Sequence, residues 1–251
     1  MIDLTLNFTK IIKTARKVVV LTGAGVSKES GLDTFRDVGG YWSKYNPYEL
    51  ASPQGFLNNP LLVWQWYQAR RNKAKEAQPN PGHLAIAQME KIFPEFFLFT
   101  QNVDGLHFRA GSKKVYELHG NIFSSHCFSC GVYYDQSFEI GDSIDTIPRC
   151  PRCNGLIRPS VVWFGESLPA DVLNLAYQQT RTCNLFFTIG TSNEVYPAAD
   201  LPYQAKSSGA FIVEINPNET SFTRYADLSY REKSGEILPK ILQTIKEIRS
   251  Q

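Results

Sequence analysis

Four short apolar runs constrain this chain more than any other feature: Val18-Val19-Val20-Leu21, Phe96-Phe97-Leu98-Phe99, Leu185-Phe186-Phe187-Thr188-Ile189 and Phe211-Ile212-Val213-Glu214-Ile215. Each is too continuous to be one face of an amphipathic helix, is rich in β-branched or aromatic residues, and ends abruptly. Such runs predict strands buried on both faces, as in a parallel sheet. Helix-like stretches lie between them, among them His83 to Lys91 and Leu168 to Thr182. The alternation predicts an α/β fold, a Rossmann-like doubly wound parallel sheet. Each run is followed by small or hydrogen-bonding residues: Thr22 to Ser27, Thr100 to Asp104, Gly190 to Asn193 and Asn216 to Glu219. In an open α/β sheet the carboxyl ends of the strands line one crevice where ligands bind. Four polar tips on one edge therefore predict a ligand crevice rather than ordinary surface loops.

The 251 residues suffice for one large α/β domain, or for a main domain carrying a satellite. Two insertions interrupt the alternation, and we expect three parts. Residues 1–37, 82–121 and 159–251 form the main domain, 38–81 a loop and helical module with a helix through Val63 to Ala77, and 122–158 a small domain that holds all four paired cysteines. A formal net charge of +2 gives no general attraction to nucleic acid or anionic lipid. The start, MIDLTLNFTKIIKTARK, is amphipathic and lacks the pattern of a signal peptide. No apolar run approaches the roughly 20 residues that span a bilayer. A cytoplasmic protein without a membrane partner is the expectation.

Four of the five cysteines fall in two Cys-x-x-Cys units, Cys127-Phe128-Ser129-Cys130 and Cys150-Pro151-Arg152-Cys153, with 19 residues between them. Two such knuckles bring four sulfurs into a tetrahedron suited to zinc, and a four-thiolate sphere leaves no position for water, so the metal is structural. Two redox dithiols are the competing reading. Cys183, left over, reads as a small buried apolar residue. Gly23-Ala24-Gly25 can bring backbone N–H groups against a phosphate, but the third glycine of a dinucleotide fingerprint would fall at Lys28, and a plain tight turn explains the pair nearly as well. Of four histidines, His83 reads as a helix-start residue, His107 as helical and His126 as a neighbour of the first knuckle. His119 follows a short strand, Val115 to Leu118, and precedes Gly120. A histidine at a strand end facing a crevice suits acid–base chemistry, though a lone histidine is commonly structural.

Taken together, several blocks resemble the signature of the sirtuin family, in the family's order. They are Gly23-Ala24-Gly25-Val26-Ser27 with Thr34-Phe35-Arg36, Thr100 through His107, Glu117-Leu118-His119-Gly120, Val162-Trp163-Phe164-Gly165-Glu166, and Gly190-Thr191-Ser192. The cysteine knuckles fall between the His-Gly and Phe-Gly-Glu blocks, and the resemblance runs from about Val18 to the end. It implies a protein-lysine deacylase that consumes NAD, carries one structural Zn²⁺ and acts on acylated-lysine proteins or peptides. In that reaction the acyl oxygen attacks C1′ of the nicotinamide ribose and releases nicotinamide. A histidine then deprotonates a ribose hydroxyl, and the acyl group ends on ADP-ribose. By resemblance His119 is the base, and Asn102 and Asp104 orient the nicotinamide-ribose end. Gln101 contacts the ribose. Arg36, the glycine loop with Ser27, and Gly190 to Ser192 face phosphates. Phe35 and Trp42 belong to the cofactor-binding set, and Asn216, Pro217, Asn218 and Ser234 meet the adenosine half. Val162 to Glu166 pair with the substrate backbone by strand addition. The 38–81 segment matches the family's cofactor loop, which closes over NAD.

Tyr67 and Arg70, three residues apart on the expected helix, share a face. The pair resembles the motif of class III sirtuins, which remove succinyl, malonyl and glutaryl groups, and Thr34 in place of the usual aspartate fits that class. A guanidinium fork and a phenol can hold a distal carboxylate. Lys28 stands where class III members usually have alanine; it would crowd the pocket, point to solvent or add a second cation. Competing readings are a plain lysine deacetylase, an ADP-ribosyl transferase, an NAD-dependent dehydrogenase, and a zinc-ribbon module that binds nucleic acid without turnover. The last lacks a basic–aromatic stripe, and the dehydrogenase leaves the cysteine knuckles and the Tyr67–Arg70 pair unexplained.

Overall fold

In a computed structural model that describes residues 6–35, 46–135 and 146–250, all four apolar runs are neighbouring strands of one parallel sheet. The strands are β1 (Lys17–Thr22), β2 (Glu95–Thr100), β3 (Val115–Glu117), β4 (Gly120–Cys127), β5 (Tyr133–Tyr134), β6 (Ile157–Val161), β7 (Leu185–Ile189), β8 (Phe211–Ile215) and β9 (Leu228–Tyr230). The main sheet has the order β3-β2-β1-β7-β8-β9, and every pairing in it is parallel. Renumbered within that sheet the order is 3-2-1-4-5-6, the Rossmann arrangement, with its reversal between β1 and β7. The helices are α1 (Leu6–Thr14), α2 (Pro47–Leu50), α3 (Pro53–Asn58), α4 (Pro60–Glu76), α5 (Pro81–Met89), α6 (Leu106–Arg109), α7 (Ala170–Thr180), α8 (Asp200–Ser207) and α9 (Ser234–Arg249).

The continuous apolar strands follow from burial on both faces. Val18, Val20, Phe96, Leu98, Leu185, Phe187 and Val213 pack with Phe8 and Ile12 of α1, Ile86 and Met89 of α5 and Ile237 and Ile241 of α9. Their alternates Val19, Leu21, Phe99, Phe186 and Ile212 pack with Ala176 of α7 and Leu201 and Ala205 of α8. Each strand thus supplies successive side chains to opposite layers. The edge strand β9, Leu-Ser-Tyr, is too short and polar to declare itself in the sequence; it forms because β8 offers it an open edge.

The second sheet, β5-β4-β6, is antiparallel. It carries Cys127 at the end of β4, and the chain between β4 and β6 carries the other three paired cysteines. Beside it sits α4, capped by the Asn59 side chain, which accepts a hydrogen bond from Leu62 N at 3.2 Å, and opened by Pro60 at its first position. Val63, Trp66, Tyr67 and Ala74 of α4 share a core with Ile122, Val161 and Trp163. That packing presents Tyr67 and Arg70 to the same space as the tips of the main sheet.

Candidate active site and metal centre

The crevice opens where the strand order reverses. Gly23 N donates to Ile189 O at 3.0 Å and Gly25 N to Gly190 O at 2.8 Å, stitching the loop after β1 to the loop after β7. A Cβ on Gly23 would lie 2.8 Å from Gly190 O and from Thr191, and one on Gly25 would lie 2.8 Å from Gly190. The two glycines are therefore required by this close approach, whatever ligand the loop receives. From the reversal runs a cavity of about 1130 Å³, larger than an ordinary small-molecule pocket. It gathers Gly23, Ala24, Gly25, Ser27, Phe35, Gln101, Asn102, Asp104, His119, Gly190, Thr191, Ser192, Asn216, Pro217, Asn218 and Ser234. Tyr67, Arg70, Val162, Trp163, Phe164, Gly165 and Glu166 line it as well. Arg36 and Trp42 lie outside the described residues. Lys28 is exposed on the cavity wall.

His119 has one ring nitrogen committed: Nδ1 lies 3.1 Å from Gln101 O. A carbonyl only accepts, so Nδ1 carries the hydrogen and Nε2 keeps its lone pair. Burial holds the imidazole below the ordinary histidine range, against the pull of that carbonyl, so the ring is neutral at pH 7. On the wall of the same cavity, Ser27 Oγ donates to Asp104 Oδ2 at 2.7 Å and accepts from Asn102 Nδ2 at 3.1 Å. His83 Nδ1 accepts from Asn80 N at 3.3 Å, which makes His83 Nε2 the hydrogen-bearing nitrogen facing Ser27 Oγ at 3.4 Å. The Ser27 hydroxyl is thereby saturated, with one hydrogen given and two accepted. Asp104 also accepts from Leu106 N at 2.9 Å, while burial pushes its carboxyl up. At the other end Asn216 Nδ2 donates to Thr191 O at 2.9 Å and Asn216 Oδ1 accepts from Asn218 N at 3.1 Å, tying the loops after β7 and β8 together.

The substrate-side segment is partly spoken for. Val162 N donates to His119 O at 2.9 Å, Phe164 N to Ala51 O at 2.8 Å, Glu166 N to Trp163 O at 3.0 Å, and Trp163 N to Glu166 Oε2 at 2.8 Å. Strand addition there would rest chiefly on carbonyls. Arg70 lies over the rings of Trp66, Phe35 and Tyr67, at 4.5, 4.8 and 5.5 Å from their centroids. Tyr67 Oη accepts from Trp163 Nε1 at 2.8 Å. Three residues bearing on the site carry no motif that marks them as functional. Glu29 accepts from Gly235 N at 2.7 Å and anchors the first loop to α9. His83, expected at a helix start and indeed part of the capping box of α5, also reaches Ser27. Arg158, in β6, pairs with Glu166 at 2.5 Å. Each acts on a partner remote in sequence or hidden in a fold contact, so no local pattern marks it.

The four paired cysteines converge. Cys127 Sγ lies 3.4 Å from Cys153 Sγ, Cys130 Sγ 3.7 Å from Cys150 Sγ, and all four sulfurs lie within 4.8 Å of one another. A ZnS₄ tetrahedron with bonds of about 2.3 Å has edges of about 3.8 Å, so one zinc ion fits. The hydroxyl of Tyr134, 3.0 Å from Cys150 Sγ, favours the thiolate form of that sulfur, the form that a metal needs. Cys183 lies apart, buried against the main sheet.

Comparison with known proteins agrees with this geometry. A model of the Sir2 family matches residues 23–197. An NAD-dependent protein deacylase of Aquifex aeolicus is 51% identical over 231 residues, 92% of this chain and 95% of that protein. Another, of Pyrococcus furiosus, is 46% identical over 243 residues, 96% of this chain and 97% of its own. Among solved structures, a Sir2 homologue in complex with NAD superposes with a TM-score of 0.91 at 43% identity, covering 97% of this chain and 94% of that one. A Sir2 protein with a p53 peptide and NAD⁺ superposes at 0.83 with 34% identity, covering 95% and 97%. No helix among the described residues is long and apolar enough to cross a membrane. With the glycine loop, the His-Gly strand end and the cysteine knuckles all inside the matched span, the chain belongs to the Sir2 family.

Proposed function

We propose that this chain is an NAD-dependent protein-lysine deacylase with His119 as its base, and that it favours succinyl- and malonyl-lysine over acetyl-lysine. The observation that carries the base assignment is the fixed tautomer of His119. The hydrogen bond from Nδ1 to Gln101 O leaves Nε2 unprotonated in the cavity, and burial keeps it so at neutral pH. NAD, when bound, supplies the electrophilic ribose carbon and the ADP-ribose that receives the acyl group. The chain's part is to bind, orient and take a proton. Asn102 and Asp104 are held rigid through Ser27, ready for the nicotinamide-ribose end. The Gly23 and Gly190 loops and the Asn216 to Asn218 loop line the remainder of the dinucleotide's path, with Arg36 and Trp42 assigned by family resemblance. Val162 to Glu166 would flank an acyl-lysine peptide. The zinc ion, on the four cysteines, holds the second sheet together and takes no part in the chemistry. The same reading divides the chain into a main domain of residues 1–37, 82–121 and 159–251, a cofactor loop and helical module of 38–81, and a zinc domain of 122–158.

The acyl preference rests on Tyr67 and Arg70 standing together on the cavity wall. Exposed Lys28 on the same wall favours a second reading, a plain deacetylase whose long acyl groups are crowded out. A panel of acetyl-, malonyl-, succinyl- and glutaryl-lysine peptides with NAD, read by mass and by nicotinamide release, tests both. No NAD-dependent deacylation of any peptide refutes the activity; an acetyl preference refutes the acyl assignment alone.

A further inference from the structure

The Tyr67 hydroxyl does not stand in the acyl pocket as a bare phenol. Its oxygen accepts the indole N–H of Trp163 at 2.8 Å, and both side chains are buried. An indole nitrogen only donates, so the direction of this bond is fixed. A phenol hydrogen prefers the plane of its ring, on one side of the oxygen or the other. With the indole N–H occupying one side, the hydrogen takes the opposite one and Tyr67 becomes an oriented donor. The indole itself cannot swing. The Arg158 guanidinium lies over it, 3.2 Å from the ring centroid. Arg158 in turn is fixed by both oxygens of Glu166, at 2.5 and 3.1 Å, and by Val161 O at 2.6 Å. Glu166 Oε2 also accepts from Trp163 N at 2.8 Å, closing the loop. Strand β6 of the zinc-bearing sheet thus reaches through Arg158 and Trp163 to one hydroxyl on α4.

We propose that Trp163 determines acyl specificity through its side chain: held by Arg158 and Glu166, its indole N–H turns the Tyr67 hydroxyl into a fixed donor toward a negatively charged acyl terminus. This rests on the reading that Tyr67 and Arg70 face the acyl group. A carboxylate offers only acceptors, so an oriented O–H beside a guanidinium suits it, whereas the methyl of an acetyl group can use neither. Phenylalanine at 163 would keep the ring over Arg158 but lose the N–H, and the phenol hydrogen would then be free to rotate away.

The test is a double-mutant cycle on the ratio of kcat/KM for succinyl- and acetyl-lysine peptides of one sequence, with NAD saturating. Variants are W163F, Y67F and W163F/Y67F, each checked by circular dichroism. Each single substitution should lower the ratio about tenfold, and the double should fall no further than Y67F alone, because Trp163 acts only through Tyr67. A ratio unmoved by W163F, or losses that multiply in the double, would overturn the proposal. The wild-type ratio judges the acyl preference separately: a value below one ends that preference, while the coupling in the cycle still decides the role of Trp163. If W163F does not fold, Y67F supplies the decision by NMR. One of the four indole N–H resonances should shift in Y67F, and the same resonance should move in the wild type on adding succinyl peptide more than acetyl peptide. Absence of such a resonance overturns the assignment.

Discussion

Gly120 follows the proposed base directly, and among the described glycines it leaves the least room for a side chain. Its φ is +76°, and an added Cβ would sit 2.0 Å from Ser160 O. Ordinary contact begins near 3.4 Å, so Gly120→Ala demands a displacement of more than an ångström between β4 and β6, whose pairing starts at Gly120 and Val161. The left-handed conformation alone costs an alanine about 1–2 kcal/mol. Forcing the strands apart adds about 1–3 kcal/mol on the scale of overpacked cores. For a chain of this size each kcal/mol lowers Tm by about 2–4 °C. Gly209→Ala separates the two costs. Gly209 has φ +86° with nothing within 4 Å of the added Cβ, and it lies in the turn between α8 and β8. It should therefore lose only the conformational part. Calorimetry should place Gly120→Ala at least about 2–4 °C below Gly209→Ala. Activity should separate them further. His119 O accepts from Val162 N at 2.9 Å, so a shift at Gly120 moves the base and the substrate segment together. Nicotinamide release, measured well below either midpoint, should be largely lost in Gly120→Ala and retained in Gly209→Ala. Equal Tm and equal activity for the two variants would refute the reasoning, since they would show that the contact with Ser160 carries no weight.

Four further outcomes follow from the same geometry. His119→Ala should cut deacylation by roughly a hundredfold to ten-thousandfold with Tm little changed, while nicotinamide exchange persists in part; near-normal product formation would remove His119 from its role. Cys153→Ser, or removal of the metal by a chelator, should lower both Tm and activity from a protein holding about one zinc per chain; a metal-free protein that stays folded and active would contradict a structural zinc. Arg70→Met should raise KM for succinyl-lysine about tenfold or more, since charge-assisted hydrogen bonds contribute roughly 1.5–3 kcal/mol each, and should change KM for acetyl-lysine far less; equal effects on both peptides would sink the carboxylate contact. The contribution of His83 to stability should fall with acid, because this buried ring titrates at about 4 when folded and near 6.5 when unfolded. Between those values the unfolded chain binds the extra proton, so this contribution is complete above pH 6.5 and about 3 kcal/mol of it is lost as pH falls to 4, while Glu117, pushed up to about 7 by burial, works in the opposite direction; a His83 ring resonance that titrates near 6.5 in the folded protein would show that His83 is not held neutral.

The parts of this protein legible in the order of its amino acids are those whose physical cause is local. Runs such as Val18 to Leu21 and Leu185 to Ile189 must be hidden on both sides, which specifies a parallel sheet with helices on both faces before any coordinate is known. Two Cys-x-x-Cys units specify a four-sulfur site because each knuckle already places two ligands on one turn. His119 and the glycine loop were legible as candidates since both stand at the ends of such runs. Tertiary structure alone decided what these groups do to one another. Which nitrogen of His119 keeps a lone pair depends on the carbonyl of Gln101, in the loop that follows β2. That Gly23 and Gly25 are needed at all follows from Gly190, 165 residues further along the chain from Gly25, whose backbone passes 2.8 Å from where a side chain would begin. The direction of the Tyr67 hydroxyl is set by Trp163, 96 residues away. Hydrophobic periodicity and ligand spacing act over a few residues and are written into the order of the amino acids. Hydrogen-bond direction, burial and close approach are relations between segments that only folding brings together.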